Sequence, residues 1–240
     1  MTDKQFKIFL DFDGTITKND VGEEIFKKFL KDEIVDVIVD QLLNGKISAR
    51  ECWEKLCSST SGIKKSEFDE FIYSQQVDLT VHRFVEYCQA KNYELFILSD
   101  GFDYYIEMIL KREKLNHLKY YSNRLLFSDE GSLVPSFPFY NSDCKCSANN
   151  KKNHIIENSS EEDFTVFVGD GISDNDAIQY VDFIFAKSDL LKYCEAQRIT
   201  YFPFKNFDDV ISRLDELSAK KRIKKRHQAA LKRREAFLIE

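Results

Sequence analysis

Three short apolar runs, at residues 7–10, 94–98 and 164–168, each break off into acidic, serine and glycine residues: Asp11-Phe12-Asp13-Gly14, Ser99-Asp100-Gly101 and Gly169-Asp170-Gly171. Runs of this length without polar alternation are the pattern of parallel strands buried on both faces. If the three are neighbours in one sheet, their trailing loops meet at its carboxyl edge, where open α/β sheets bind ligands. The chain is therefore expected to fold as an α/β protein with the groups of three distant segments pooled in one crevice. A fourth, weaker run at 183–186 extends the series.

About 80 residues separate the first two runs, and their Glu/Lys-rich helical periodicity predicts helices near 21–31, 34–43, 49–58 and 66–75. A parallel crossover needs a single helix, so most of this stretch reads as an insertion. A small helical cap over the crevice is the economical interpretation. The crossover helix follows at 80–91, with Val81, Phe84, Val85 and Cys88 on one face. From Tyr120 to Pro138 short alternating pieces around Ser128-Asp129-Glu130-Gly131 predict a hairpin with an acidic turn.

Charge is unevenly spread. Residues 219–240 hold nine Lys/Arg against Glu235 and Glu240, a net +7 set against −13 over residues 1–218. The tail reads either as an electrostatic arm for an anionic partner or as a solvated terminal helix that touches the body through Ala229, Ala230, Leu231 and Leu238. The acidic body argues against a nucleic-acid-binding protein, leaving this tail as the one hint of such a partner. No stretch reaches the roughly 18 apolar residues of a membrane span. The start of the chain lacks an export signal, so a cytoplasmic location is expected, with Cys52, Cys57, Cys88, Cys144, Cys146 and Cys194 as reduced thiols. A zinc site using Cys144, Cys146 and His154 would fall short of four ligands.

Asp11, Asp13, Ser99, a lysine ahead of a helix, Asp170 and Asp174 together suit phosphoryl transfer around a hard divalent ion, Mg²⁺, which favours a few carboxylates, waters and phosphate oxygens. An attacking carboxylate and a phosphate dianion repel by roughly 8 kcal/mol at ~4 Å and an effective dielectric of ~20. Uncompensated, that is worth about six decades in rate. A metal ion and a lysine cancel most of it, while Ser99 Oγ and the Asp100 N–H hold phosphate oxygens. Asp170 and Asp174, four apart, share a face if their loop runs into a helix, which Ser173 would cap.

In order and spacing, DFDGTIT at 11–17, Ser99 after its strand, Lys152 ahead of Ile155-Ile156 and GDGISD at 169–174 resemble the four signature motifs of the haloacid dehalogenase superfamily of phosphatases. The resemblance covers the whole chain. It implies a Rossmann-like parallel sheet core over 1–16 and 80–218, an inserted helical cap over 17–79 as in the phosphoserine-phosphatase-like branch, and a basic C-terminal helix over 219–240. It further implies Asp11 as nucleophile and metal ligand, and Asp13 as general acid and then base, with its carbonyl on Mg²⁺. Ser99 and Lys152 would clamp phosphate, with Asp170 a metal ligand and Asp174 its support. Lys151 is adjacent, and the choice of Lys152 rests on the Cys144–Lys152 segment, which is similar to one in the methionine-salvage and phosphocholine/phosphoethanolamine phosphatases.

The substrate implied is a small phosphorylated metabolite, first 2-hydroxy-3-keto-5-methylthiopentenyl-1-phosphate of methionine salvage, then phosphocholine or phosphoethanolamine, then phosphoserine. Asp20 stands where the phosphoserine enzymes place a substrate-gripping acid. Their cap arginine has no clear counterpart, since Glu54 falls near that position and Arg50 is the nearest substitute. Trp53, Phe26, Phe29 and Phe71 either line a pocket or form the cap's own core. A non-catalytic phosphate-binding protein on the same scaffold is the alternative from a different class.

Overall fold

The computed structural model describes residues 5–142 and 145–237. Its seven strands form one sheet in the order β4-β3-β2-β1-β5-β6-β7. These are β1 (Phe6–Leu10), β2 (Glu94–Phe102), β3 (Lys119–Phe127), β4 (Leu133–Ser136), β5 (Phe164–Gly169), β6 (Phe183–Ala186) and β7 (Phe202–Pro203). All pair in parallel except β4, which returns antiparallel on β3 with Leu126 opposite Val134. β1 lies in the middle, in register with β2 on one side (Leu10 opposite Ile97) and β5 on the other (Leu10 opposite Val168). Chain order reverses across β1, so the crevice at its carboxyl end is the switch point of the sheet.

Helices cover both faces: α5 (Thr80–Ala90), α6 (Asp103–Arg112), α7 (Lys151–Glu157), α8 (Ser188–Ala196) and α9 (Phe207–Ala219). The expected apolar face of α5, Val81, Phe84, Val85 and Cys88, is buried. Phe84 meets Phe207 of α9 at 5.1 Å between ring centroids. Side chains of β1 alternate between two buried clusters, Ile8 and Leu10 into one and Phe9 into the other, as a doubly covered strand requires.

Four helices, α1 (Val21–Phe29), α2 (Asp32–Leu43), α3 (Ala49–Ser58) and α4 (Lys65–Ser74), occupy the stretch expected to form the cap. The start of α3 carries a full capping box between Ser48 and Glu51. The chain leaves for and returns from these helices through a narrow neck, where Thr17 bridges Val77 and Lys18 N–H donates to Gln76 O at 2.9 Å. The helices also rest on the β3–β4 hairpin. Ile63 N–H donates to Gly131 O at 3.0 Å, and Leu133 N–H to Thr60 Oγ1 at 3.0 Å. Part of the range 80–218 is thus tied to the helical segment, a connection that local patterning does not carry.

The basic terminus differs from a single helix over 219–240. α9 ends at Ala219, residues 220–226 are irregular, and α10 spans His227–Phe237. Its contact with the body is polar as well as apolar: Arg233 is buried in an ion pair with Asp182 at 3.1 Å, beside buried Ala229. Leu231 points outward, and Leu238 lies outside the described residues. Among the described residues no helix is long and apolar enough to cross a membrane.

Candidate active site

The first loop sets the geometry. Asp11 N–H still donates to Val168 O at 2.9 Å, so the β1–β5 ladder runs one residue past the strand before the chain turns. Gly14 then takes φ +71°, and a Cβ there would stand 2.4 Å from Asp170 Oδ2. Both the turn and the contact between loops require glycine. Thr15 seals the junction by donating its hydroxyl to Asp170 Oδ1 at 2.8 Å.

The lysine of the site is Lys151, which corrects the expectation for Lys152. Lys151 Nζ, 1% exposed, donates to Asp11 Oδ1 and Asp174 Oδ1, each at 2.6 Å, and to Ser173 Oγ at 3.0 Å. Lys152 pairs with Asp176 at 3.2 Å instead. Neighbours on a helix point about 100° apart, so only one can face the strand ends. Asn150, left-handed at φ 53°, sets where α7 starts and therefore which one does.

The expected helix after Asp170 is a single 3-10 turn, Ile172–Asp174. Ser173 therefore caps no helix, and its hydroxyl receives Lys151. Asp174, fully buried, folds back to accept Gly171 N–H at 3.2 Å.

β2 extends through Ser99-Asp100-Gly101 to Phe102, so these residues are strand rather than loop. Ser99 Oγ accepts Gly101 N–H at 2.9 Å and donates to Asp13 Oδ2 at 3.0 Å. The Asp100 side chain is committed elsewhere. Its Oδ1 accepts Ser147 Oγ (2.7 Å), Ala148 N–H (2.6 Å) and Asn149 N–H (2.9 Å), fixing the loop ahead of Lys151. Its Oδ2 faces Trp53 Nε1 of α3 at 3.4 Å, linking the helical segment to the sheet edge. Asp20 caps α1, accepting Glu23 N–H at 2.8 Å, and the first residue of that helix donates Val21 N–H to Asp13 Oδ1 at 3.1 Å.

Five carboxylates crowd one ammonium, and their protonation reflects it. Burial, then the charges of Asp20 and Asp11, push the Asp13 carboxyl well above its usual range. Burial followed by Asp11 raises Asp170 to about 7 and Asp174 to about 8, the latter in spite of Lys151. Desolvation by the surrounding protein, against the hydrogen bond from Glu23 N–H, raises the carboxyl of Asp20 to about 6. Burial works against the Lys151 cation, and Asp11 and Asp174 outweigh it, holding its pKa above the ordinary lysine value.

Surplus negative charge on hard oxygen donors fits a divalent cation of the Mg²⁺ type. Among the described residues no three acidic, histidine or cysteine side chains converge as a metal cluster. Mg²⁺ does not need one, since it takes one or two carboxylates and completes its shell with water, carbonyl and phosphate oxygens. His154 is engaged otherwise, its Nε2 3.2 Å from Asn149 O and its ring stacked on Tyr121 at 4.2 Å. Cys144 lies outside the described residues. The other five cysteines form no disulfide.

Two participants escaped the sequence reading, Thr15 and Tyr105, and a third, Ser173, was expected only as a helix cap. Thr15 lies inside a recognised motif, and a count of hydroxyls there would have raised it. Tyr105, whose hydroxyl donates to Asp13 Oδ2 at 2.8 Å, lies outside every motif and carried no local signal. Arg50 pairs with Glu54 at 2.8 Å, with its guanidinium 4.7 Å from the Tyr140 ring. Phe26 and Trp53 contact each other, as do Phe29 and both Phe68 and Phe71, so these rings pack on one another within the helical segment.

Residues 6–191 match the family model described as Putative Phosphatase. A 2-hydroxy-3-keto-5-methylthiopentenyl-1-phosphate phosphatase of Bacillus mycoides (strain KBAB4) is 30% identical over 213 residues, covering 88% of this chain and 96% of the relative. A phosphatase of the same name from Bacillus cereus (strain ATCC 14579) is 28% identical over 214 residues, covering 87% and 95%. Among solved structures, a substrate-bound phosphoserine phosphatase complex superposes with TM-score 0.68 at 21% identity, over 89% of this chain and 99% of its own. A phospho-aspartyl intermediate analogue of phosphoserine phosphatase gives 0.67 at 19%, over 88% and 99%.

Proposed function

Since the chain belongs to the Putative Phosphatase family, in the phosphoserine-phosphatase-like branch of the haloacid dehalogenase superfamily, and is a phosphoric monoester hydrolase, we propose that it is Mg²⁺-dependent and acts through a phosphoaspartate on Asp11. The observation that carries this reading is the bridge of Lys151 between Asp11 and Asp174 at 2.6 Å, with Ser99 and Asp13 joined alongside at 3.0 Å. It favours turnover over the alternative of a phosphate-binding protein, which needs no buried carboxylate facing the anion.

Asp11 and Asp170, with the Asp13 carbonyl, would hold the metal. When bound there, Mg²⁺ neutralises phosphate charge that would otherwise repel the attacking carboxylate. Lys151 holds the equatorial phosphate oxygens, and Ser99, whose one hydroxyl hydrogen is given to Asp13 Oδ2, braces the acid beside them. A carboxylate oxygen of Asp11 bonds to phosphorus as the bond from phosphorus to the substrate oxygen breaks, and Asp13 gives its proton to that departing oxygen. Asp13, now a carboxylate, takes a proton from water. The resulting hydroxide attacks phosphorus, the bond to Asp11 breaks, and inorganic phosphate leaves.

Helices α1–α4 act in this account as a cap that hinges at the neck of residues 16–18 and 76–78. Burial of Lys151, Ser99 and Asp174 supports a cycle in which the cap opens to admit substrate and closes to exclude water. The substrate favoured is 2-hydroxy-3-keto-5-methylthiopentenyl-1-phosphate, on the names of the relatives that align over nearly their whole length. Commitment of Arg50 to Glu54 and Tyr140 supports this ranking over phosphoserine, whose carboxylate needs a cationic partner.

The test is phosphate release, with and without Mg²⁺, from a panel containing that compound, phosphocholine, phosphoethanolamine and phosphoserine, with Asp11→Asn as blank. We expect one preferred substrate with kcat/KM above about 10⁴ M⁻¹s⁻¹. Release that ignores Mg²⁺, or that survives in a folded Asp11→Asn protein, contradicts the mechanism. A different preferred ester contradicts the substrate ranking alone.

A further inference from the structure

Tyr105 belongs to no step described so far, yet it is fully buried against the carboxyl that those steps ask to move a proton. Two hydroxyls converge on Asp13 Oδ2, that of Tyr105 at 2.8 Å and that of Ser99 at 3.0 Å, while Oδ1 meets Val21 N–H at 3.1 Å. Ser99 Oγ already accepts Gly101 N–H at 2.9 Å, which turns its own hydrogen toward Asp13.

The route of the phenol is made by a missing side chain. A Cβ on Gly101 would stand 1.6 Å from the Tyr105 hydroxyl oxygen and 2.7 Å from Asp13 Oδ2. Backbone can give way by tenths of an ångström, not by the distance such a contact demands, so glycine at 101 and tyrosine at 105 are mutually fitted. Phe12, between the two acids, packs on the Tyr105 ring at 6.2 Å and limits its swing.

We propose that Tyr105 is a positioning residue for the proton transfer: with Ser99 it occupies Asp13 Oδ2, so that the transferable proton is carried on Oδ1 and delivered from there to the leaving oxygen. A carboxyl oxygen that already accepts two O–H bonds is a poor place for a third hydrogen, and a fixed carboxyl plane aims the other oxygen. The inference rests on Asp13 as the general acid.

The test uses leaving groups that differ in their need for a proton. For an alkyl phosphate such as glycerol phosphate, the departing alkoxide must be protonated, whereas p-nitrophenolate leaves with little help. Tyr105→Phe should lower kcat/KM for the alkyl ester by about 10- to 100-fold and for p-nitrophenyl phosphate by less than about threefold. An equal loss on both esters, or no loss on either, overturns the inference, because a general structural role does not distinguish leaving groups. Asp13→Asn is run in parallel and should abolish alkyl turnover while still giving a burst of p-nitrophenolate. If Asp13→Asn treats both esters alike, the acid assignment falls and the inference with it. A selective Asp13→Asn beside an unselective Tyr105→Phe overturns the inference alone.

Discussion

Lys151 and Lys152 are adjacent lysines whose positions diverge because a helix begins between Asn150 and Lys151. Replacing Lys151 by Met should lower kcat/KM by at least about 10²-fold, the usual loss when a preorganised cation is removed from a phosphoryl site. Replacing Lys152 by Met should leave kcat/KM near wild type, and shift stability by less than about 1 kcal/mol, since its partner Asp176 is solvent-accessible. Steady-state kinetics and urea unfolding of the two variants check both halves. His154 offers a separate test in stability. Burial pushes its imidazole down to about 4 from an ordinary 6.5. The unfolded chain therefore binds a proton between those values that the folded protein refuses, and stability contributed by neutral His154 is full above about 6.5 and lost as pH falls toward about 4. The difference in unfolding free energy between wild type and His154→Phe should change by on the order of 3 kcal/mol across that window, and a flat difference would contradict the assignment. At this scale Asp11, Asp13, Ser99, Asp170 and Asp174 were readable from motif spacing. Tyr105 was not, because its importance depends on a through-space approach over Gly101.

Elements were more legible than residues where burial alone decides them. β6 and α3 match their expected limits, and β1 and β5 differ by a single residue. β2 runs four residues beyond the apolar run because β3 continues to offer it a pairing edge, with Phe102 opposite Asn123 after a register shift. No local pattern announces a partner strand. The same blindness hid the work of the Asp100 carboxylate, which organises the approach to α7 and meets Trp53 of α3, where the sequence pointed only to the Asp100 N–H. Asp100→Ala would remove the acceptor shared by Ser147, Ala148 and Asn149, leaving Asn149 N–H only Ser147 Oγ at 3.3 Å. It should cost about 2 kcal/mol or more in unfolding free energy, and it should raise amide hydrogen exchange over residues 147–151. Unchanged exchange there would refute the role of Asp100 as anchor of that loop.

At the scale of the whole molecule, the acidic body and basic terminus predicted two readings of the tail, and the structure is nearer the second, a terminal helix that buries Ala229, with a polar contact added to the apolar one. Its cationic side chains are partly internal: Arg233 is buried on Asp182 and donates to Thr165 Oγ1 at 2.9 Å, and Arg226 reaches Ile178 O. Sequence shows the charge of such a residue but not the buried acid awaiting it, since Asp182 lies 51 positions away. Arg233→Ala should destabilise the fold by about 3–5 kcal/mol, the cost of leaving a buried charge unpaired. Arg234→Ala, whose pair with Glu161 is exposed on both sides, should cost less than about 1 kcal/mol. Equal effects in urea unfolding would contradict a docked tail. The chemistry proposed for this fold centres on one covalent event, on Asp11 at the switch point of the sheet. The most direct test is acid quench of the protein during turnover of a phosphate-labelled ester, followed by peptide mapping. The label should appear on the peptide containing Asp11 as a hydroxylamine-sensitive acyl phosphate and be absent from Asp11→Asn, whereas full turnover with no trapped label, or label on another residue, would contradict the account.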